Sequence, residues 1–470
     1  MQEKAPNFEQ KKLKQSVLLV SAFAAFLTPF LGSAVNLALP AIGKDFGTTA
    51  VELGWIASSF ILSSAMFLLP FGRLADIKGR KKIFKYGILL FTLFSFLIIF
   101  SWNIISLIVF RIIQGIAGAM IFGTSLAILT SVFGPGERGK AMGINITAVY
   151  TGLSGGPVIG GLLTQYAGWR SIFAFLVPVG IFSLYLIYKK MKPEWAEAKG
   201  EIFDWKGSII YGISLASLMY GFSKLPSVSG WILLSTGLVT GAGFILFEKK
   251  VTSPVFDIRL VLRNRVFAFS GLAALIHYSA TSAIGFFMSL YLQYLKGFDA
   301  QASGLIMISQ PVMMALVSPF AGRLSDKYNP GIIASTGMGL TAAGLISLCF
   351  INTGTSVTVI TILLALMGIG FGFFSSPNSN AIMSSVEKRH LGVASGVVGT
   401  MRMVGQMFSM GIAMMLLAVY IGQKAITPRT YAGLLAGMRT GFIIFSILCI
   451  AGIFASLARN DSLSKAVQKT

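Results

Sequence analysis

The chain is dominated by long apolar runs of about 20 residues, separated by short basic clusters. A run of that length crosses the hydrocarbon core of a bilayer as a helix, because a lone segment in lipid must close its own backbone hydrogen bonds. Fourteen runs are read, over residues 16–39, 52–74, 82–101, 104–133, 139–165, 169–189, 206–222, 229–247, 266–294, 302–324, 330–351, 356–384, 391–421 and 433–457. The expected fold class is an all-α polytopic membrane protein. Composition agrees: of 470 residues, 55% are hydrophobic and 11% charged, against roughly a quarter charged in soluble domains. A water-soluble enzyme is excluded on that ground, and no hydrolytic constellation is present. Cys349 and Cys449 both lie inside apolar runs, so no disulfide framework, metal site or cofactor is expected. No cleavable signal peptide is expected either: the first run follows Lys11, Lys12 and Lys14 but is too long, and it leads straight into further spans.

The chain carries 38 Lys and Arg against 16 Asp and Glu, a net charge of +22. With the N-terminus placed in the cytoplasm, 29 of the 38 cations fall in inside segments and 6 in outside loops. The remaining three, Arg111, Arg402 and Arg439, fall within helices. This asymmetry orients the chain in the cytoplasmic membrane with both termini inside. The basic excess is then topological, facing anionic lipid headgroups rather than nucleic acid.

An internal repeat organises the spans. Residues 70–76 read Pro-Phe-Gly-Arg-Leu-Ala-Asp, and residues 319–326 read Pro-Phe-Ala-Gly-Arg-Leu-Ser-Asp. Gly72 and Gly322, Asp76 and Asp326, and the pairs Glu137-Arg138 and Glu387-Lys388 are all offset by 250. Two related six-helix halves are implied, residues 1–190 and 266–470, with two extra central helices as an inserted hairpin over 191–265. Related halves with a site near the midplane are the usual build of a secondary transporter.

The segment Gly72-Arg73-Leu74-Ala75-Asp76-Ile77-Lys78-Gly79-Arg80-Lys81-Lys82 resembles the signature loop of the major facilitator superfamily. The helix count, Pro254-Val255-Phe256-Asp257-Ile258-Arg259-Leu260, and Ala394-Ser395-Gly396 leading to Arg402 and Gly405 resemble its fourteen-helix drug:proton antiporter branch. The resemblance implies alternating access by two rocking halves. It implies that Gly72, Arg73, Asp76, Gly79 and Arg80 form a cytoplasmic latch between the halves, with Gly322, Arg323 and Asp326 as a degraded second copy. Gly72 is expected to let helix 2 approach a neighbour, and Arg80 to pair with Asp76.

Within the spans, Arg111, Gln114, Gly115 and Gly118 share one face of helix 4. Arg111 resembles the superfamily's proton-transfer or gating arginine; the alternative is a cation that snorkels to the outer interface. Gly152, Gly156 and Gly160 recur every fourth residue on helix 5, beside Pro157 and Gly161. They resemble the family's Gly-Pro-Gly-Gly motif, and they are read as a tight, bent seam about which the halves rock. Substrate-cavity candidates are the polar residues of apolar helices: Asn36, Tyr150, His277, Gln310, Asn378, Asn380, Arg402 and Gln406. Such residues tend to face the bundle interior. Helix 12 is expected to break at Pro377, between Ser376 and Asn378. Each polar residue taken alone is equally an interhelical hydrogen bond, and Arg402 is either a packing and gating group or a direct contact to an electron-rich substrate.

The acidic residues are informative by their places. The family's antiporters usually carry an acid in helix 1 shortly before Asn36, where this chain has Gly32. Fifteen of the sixteen carboxylates lie in tails, loops or helix ends, and the sixteenth, Glu52, sits at the outer end of helix 2. A cationic solute in a low-dielectric cavity needs a buried counter-charge. The expected function is therefore alternating-access transport, active or facilitated, of a neutral or weakly anionic aromatic small molecule by a monomer, for which flavin-like vitamin uptake is an example. The alternative is multidrug efflux by proton antiport, with protons coupled through His277 or Glu52. No phosphate-binding Gly-x-x-x-x-Gly-Lys-Ser/Thr loop is present, so an ATP-driven pump is excluded. Asp76→Asn is expected to cut the transport rate while leaving expression intact, checked by uptake and efflux assays beside a membrane-fraction blot.

Overall fold

A computed structural model describes residues 8–459 apart from 192, 257 and 387–390. The repeat pair at Glu387 and Lys388, Asp257, and most of both tails therefore lie outside the described residues. Among the described residues every regular element is helical. The first half contains α1 (Phe8–Phe46), α2 (Ala50–Lys78), α3 (Arg80–Ile98), α4 (Ile104–Val132), α5 (Pro135–Ala167) and α6 (Arg170–Lys190). The central hairpin is α7 (Trp205–Lys224) and α8 (Val228–Glu248), followed by the short α9 (Ile258–Arg263). The second half contains α10 (Arg265–Thr281) and α11 (Ile284–Leu290), α12 (Ala300–Met307) and α13 (Ser309–Lys327), α14 (Pro330–Leu348), α15 (Val357–Ser384), α16 (Leu391–Tyr420) and α17 (Tyr431–Leu457).

Counting α10–α11 and α12–α13 as one crossing each gives the fourteen expected. Twelve are long and apolar enough to span a membrane on their own composition. The other two are α3, whose first six residues include Arg80, Lys81, Lys82 and Lys85, and α7, which is rich in Ser and Gly. The repeat is visible in the helix limits. α2 begins at Ala50 and α12 at Ala300, while α3 and α14 start at Arg80 and Pro330 and end at Ile98 and Leu348.

Three helices depart from expectation. The ninth crossing steps at Ser282 and Ala283, where the freed Ala283 amide donates to Ser409 Oγ at 2.9 Å. The tenth steps at Ile308, because Pro311 has no N–H to offer the Met307 carbonyl. Conversely, α15 runs unbroken through Pro377, so the expected break is absent. One lost hydrogen bond is tolerated in a helix packed along both α13 and α14.

Helix pairing follows the small residues. In lipid there is no hydrophobic drive between helices, so close backbone approach and van der Waals contact decide which faces meet. A β-carbon on Gly152 would sit 2.6 Å from the Phe26 carbonyl oxygen, and one on Gly160 would sit 2.6 Å from Ala34 Cβ. Both neighbours belong to α1, as do Phe30 and Ser33 beside Gly156. The four-residue glycine stripe therefore welds α5 to α1 within one half, which corrects its reading as the seam between halves. Gly161 faces the other way, with the Ala300 carbonyl oxygen 2.5 Å from its β-carbon position. Pro157 likewise meets Gly304 of α12. Turning 100° per residue puts Gly160 and Gly161 on different faces, and only the second touches the opposite half.

The halves meet along two seams, α2 with α16 and α5 with α12. The hairpin lies over the first. Tyr211 of α7 donates to the Ala65 carbonyl of α2 at 3.1 Å, and Phe222 of α7 meets Phe408 of α16 edge-on. α8 packs on α7 and exposes Trp231, Ile232, Leu238 and Val239. Gly160→Val is expected to lower stability by about 1–3 kcal/mol through overpacking. Gly143→Ala, on the same helix with nothing within 4 Å, is expected to be neutral. Thermal unfolding of the two purified variants beside the parent checks the contrast.

Candidate functional site

A cavity of 2510 Å³ lies between the halves. Its walls come from α1, α2, α4 and α5 on one side and α10, α13, α15 and α16 on the other. It extends to the end where the Gly72–Arg80 loop, Arg138, Glu194 to Glu197 and Thr252 to Phe256 form its mouth. The opposite end is shut by contacts between the halves. Ser289 Oγ donates to the Asn36 carbonyl at 2.5 Å, Gln293 Nε2 to the Leu37 carbonyl at 3.1 Å, and Tyr166 to Gln301 at 2.9 Å. The described state is thus open at the basic end.

At the mouth, Gly79 turns the chain between α2 and α3 at φ +114°, a region that favours glycine. Arg80 is 6% exposed. Its Nε donates to Asp76 Oδ1 at 2.7 Å, its Nη1 to Ser131 Oγ at 2.8 Å, and its two Nη atoms hold both Glu197 carboxylate oxygens at 2.7 and 2.8 Å. Arg73 pairs with Glu201. The cluster is therefore tied to the linker after α6, and in this state it makes these bonds within its own half and that linker. Glu194, Glu197 and Glu201 are partners that the sequence reading left unassigned; their signal is three glutamates in eight residues after a basic helix end. Gly72 does not mediate a close approach, since its own β-carbon position is open; Gly123 does, with Gly72 N 3.3 Å from its β-carbon position. In the second copy Asp326 accepts from Asn380 Nδ2 at 3.1 Å in place of an arginine, Arg323 is exposed, and Gly322 packs close to Ser376.

Arg111 is 1% exposed. It donates from Nε to the Ile56 carbonyl at 3.2 Å and from Nη1 to Gln114 at 2.9 Å, and it lies 4.8 Å from the Phe60 ring centre. Gln114 donates on to Ser95 at 2.8 Å, and Gly115 lets α2 close on α4. This cation is turned inward and bonded, so the snorkelling alternative does not hold.

Deeper in, Asn36, Tyr150, Gln310, Arg402 and Gln406 line the cavity, while Asn380 lines it nearer the mouth, beside Asp326. Tyr150 of α5 donates to Ser318 Oγ of α13 at 2.9 Å, a bond between halves. The Arg402 guanidinium lies 5.2 Å from the Phe122 ring centre, and its Nε is buried with no hydrogen-bond partner. Among the described residues Arg402 has no ion-pair partner. Tyr278 and Phe371 add aromatic wall nearby. Gly32 lines the same space with nothing within 4 Å of its β-carbon position. The carboxylates on the cavity wall are Asp76, Glu194 and Glu197, all at the mouth.

Two cavity candidates do not reach it. His277 is fully buried, stacked 4.0 Å from Phe374 and edge-on 4.7 Å from Phe371, with neither nitrogen hydrogen-bonded. Asn378 is also buried, donating to the Ser270 carbonyl at 3.1 Å and accepting from Arg459 at 2.8 Å. Glu52 is equally remote, because its carboxylate caps α2 through the Thr49 amide at 2.7 Å. Arg459, counted above as a tail cation, is 1% exposed and also holds Ser270 Oγ at 2.9 Å and the Pro330 carbonyl at 3.0 Å.

Residues 21–410 match the sequence model of the Major Facilitator Superfamily. The chain is 28% identical to the riboflavin transporter RibZ of Clostridioides difficile, covering 86% of this chain and 87% of that protein. It is 28% identical to the tetracenomycin C resistance and export protein of Streptomyces glaucescens, covering 86% and 76%. Among solved structures, a bacterial homolog of the human lysosomal transporter Spinster, inward-facing and unoccupied, aligns with a TM-score of 0.71 at 14% identity over 98% of this chain and 99% of that one. That likeness shows the fold.

Tyr150→Phe removes one hydrogen bond between the halves, about 0.5–1.5 kcal/mol. Because that bond belongs to the state open at the basic end, the variant is expected to shift the population towards the opposite state by roughly two- to tenfold. Spin-label distances across the mouth measure the shift.

Proposed function

The chain belongs to the Major Facilitator Superfamily and is a multi-pass membrane transporter of small molecules; on that premise we propose that its cargo is a neutral or weakly anionic aromatic solute of flavin-like size and chemistry. One observation carries the reading: the deep cavity offers an unpaired guanidinium, Arg402, and no carboxylate. Arg402 is half-buried with its Nε enclosed, and a cation partly withdrawn from water without a counter-charge carries a desolvation penalty. An anionic or electron-rich group on the solute offsets that penalty, and a permanently cationic solute adds to it. The free amides of Asn36, Gln310 and Gln406 supply donors and acceptors, while Phe122, Tyr278 and Phe371 supply faces for stacking. The riboflavin transporter among the relatives supports the flavin-like cargo; uptake is the direction proposed.

In this proposal the basic mouth and both termini face the cytoplasm, a reading supported by the positive-inside count, and the described state is inward-facing. In this scheme residues 1–190 and 266–470 rock as a monomer, the Asp76–Arg80 cluster exchanges partners as the mouth closes, and the basic loops face anionic headgroups. Arg111 serves as a gating residue on α4. A second reading, multidrug efflux by proton antiport, is favoured by the width of the cavity and by the export protein among the relatives.

Proteoliposomes holding the purified chain separate the two. The parent is expected to move a flavin-type solute or an aromatic monocarboxylate and to leave a permanently cationic dye behind. Arg402→Gln is expected to raise the KM for the accepted solute by about ten- to a hundredfold, the worth of one hydrogen bond to a charged group. Gly32→Asp, which meets open space, is expected to admit the cationic dye. Gradient-driven transport of that dye by the parent would overturn the proposal.

A further inference from the structure

The base of the hairpin holds two carboxyl groups that the transport reading does not use. Asp204 caps α7, with Oδ1 accepting the Gly207 amide at 2.9 Å. Glu248 ends α8 and is 1% exposed. Its Oε2 accepts the Phe256 amide at 3.0 Å. The remaining oxygens, Asp204 Oδ2 and Glu248 Oε1, are both buried and have no hydrogen-bond donor. They converge on the same spot, since a β-carbon added to Gly207 would collide with both. Each group therefore spends one oxygen on a backbone amide and turns the other towards its neighbour. Two ionised carboxylates in that arrangement repel, and neither orphan oxygen is satisfied. One proton between them makes a donor of one and an acceptor of the other.

We propose that Asp204 and Glu248 form a proton-binding site, in which one proton shared by Asp204 Oδ2 and Glu248 Oε1 clasps the two feet of the hairpin to the segment 249–256. That segment matters because Thr252, Ser253, Pro254, Val255 and Phe256 edge the mouth of the cavity. While the proton is held, Glu248 stays folded against Asp204 and its far oxygen fixes the Phe256 amide. When the proton leaves, mutual repulsion separates the carboxylates, and the mouth segment loses its anchor. Proton binding and the shape of the mouth are then linked, with no titrating group in the depth of the cavity.

The charged groups on surrounding elements do not displace the proton. Lys206 on α7 and Lys249 and Lys250 after α8 are exposed. Arg259 of α9 donates to the Val251 carbonyl. Glu201 of the linker is engaged by Arg73 of α2 and by Ser253. Among the described residues neither Asp204 nor Glu248 has a cation at ion-pair distance.

The test needs no substrate, so it stands or falls apart from the transport proposal. Infrared spectra of the full chain at neutral pH are expected to contain a protonated-carboxyl band that Glu248→Gln removes. Asp204→Asn gives a second reading of the same band should the first variant fail to fold. In a chain with Cys349→Ser and Cys449→Ser, a reporter Thr252→Cys, its rate at each pH divided by that of a small free thiol to remove ordinary thiolate ionisation, is expected to label severalfold faster at about pH 9 than at about pH 6, the range in which buried glutamic acids give up their proton. Adding Glu248→Gln, which keeps a neutral partner for Asp204, is expected to flatten that profile at the slow rate. A band untouched by both variants, or a labelling profile unchanged by Glu248→Gln, overturns the proposal. So does labelling that follows sodium concentration at fixed pH, which would assign the pocket to a metal cation.

Discussion

Water is absent from the core of a bilayer, so each backbone amide and carbonyl there must find its partner within the protein, nearly always inside its own helix. This leaves side chains to decide everything else about how the helices are arranged. Where a side chain shrinks to hydrogen, two backbones touch; where it is polar, it must find a partner or face a water-filled space. The pairing of α5 with α1 through Gly152, Gly156 and Gly160, and of α4 with α2 through Gly115, are the first kind of solution. The hydrogen-bonded chain from Arg111 through Gln114 to Ser95 is the second. Arg402, beside Phe122 and with its Nε unbonded, is the place where neither solution is complete.

Four arginines on the long helices or at their ends illustrate the rule by contrast. Arg111 is satisfied by a carbonyl and an amide, and Arg439 donates to the Ile351 carbonyl at 2.7 Å. Arg459 is wrapped by three side-chain oxygens, of Ser270, Asn378 and Ser456, and by the Pro330 carbonyl. Three are thus structural in their immediate contacts, whatever gating they serve. Arg111 also borders the cavity, so it is the missing partner of Arg402, rather than its position alone, that singles it out for the proposed recognition.

Much of this was readable from residue order. Run lengths gave the crossings, and the offset of 250 between Asp76 and Asp326 reappears in the limits of α3 and α14. The empty acidic position in helix 1 is an open patch of cavity wall at Gly32. What escaped was whatever depends on which face of a helix meets which neighbour. A stripe of glycines announces close packing but not the partner, so Gly152 to Gly160 looked like the seam between halves and proved to be glue within one. His277 and Asn378 are polar residues of the kind that line cavities, yet each is closed in by its own half. Arg459 passed as a tail charge because nothing in a C-terminal Arg-Asn-Asp stretch signals that its side chain reaches α10, α14 and α15. The linker glutamates were invisible for a similar reason: Glu197 acquires its meaning only when Arg80, more than a hundred positions earlier, lies beside it.

The hairpin breaks the internal symmetry that the repeat creates. Two pseudo-equivalent seams join the halves, but α7 lies across the one between α2 and α16. No comparable helix pair covers the seam between α5 and α12 among the described residues. The flanks of the cavity are therefore unlike: among the described residues the α2–α16 seam lies under α7, and the α5–α12 seam has no such cover. Any motion between the halves at the covered seam must carry the hairpin along, through Tyr211 and Phe222, while motion at the other need not.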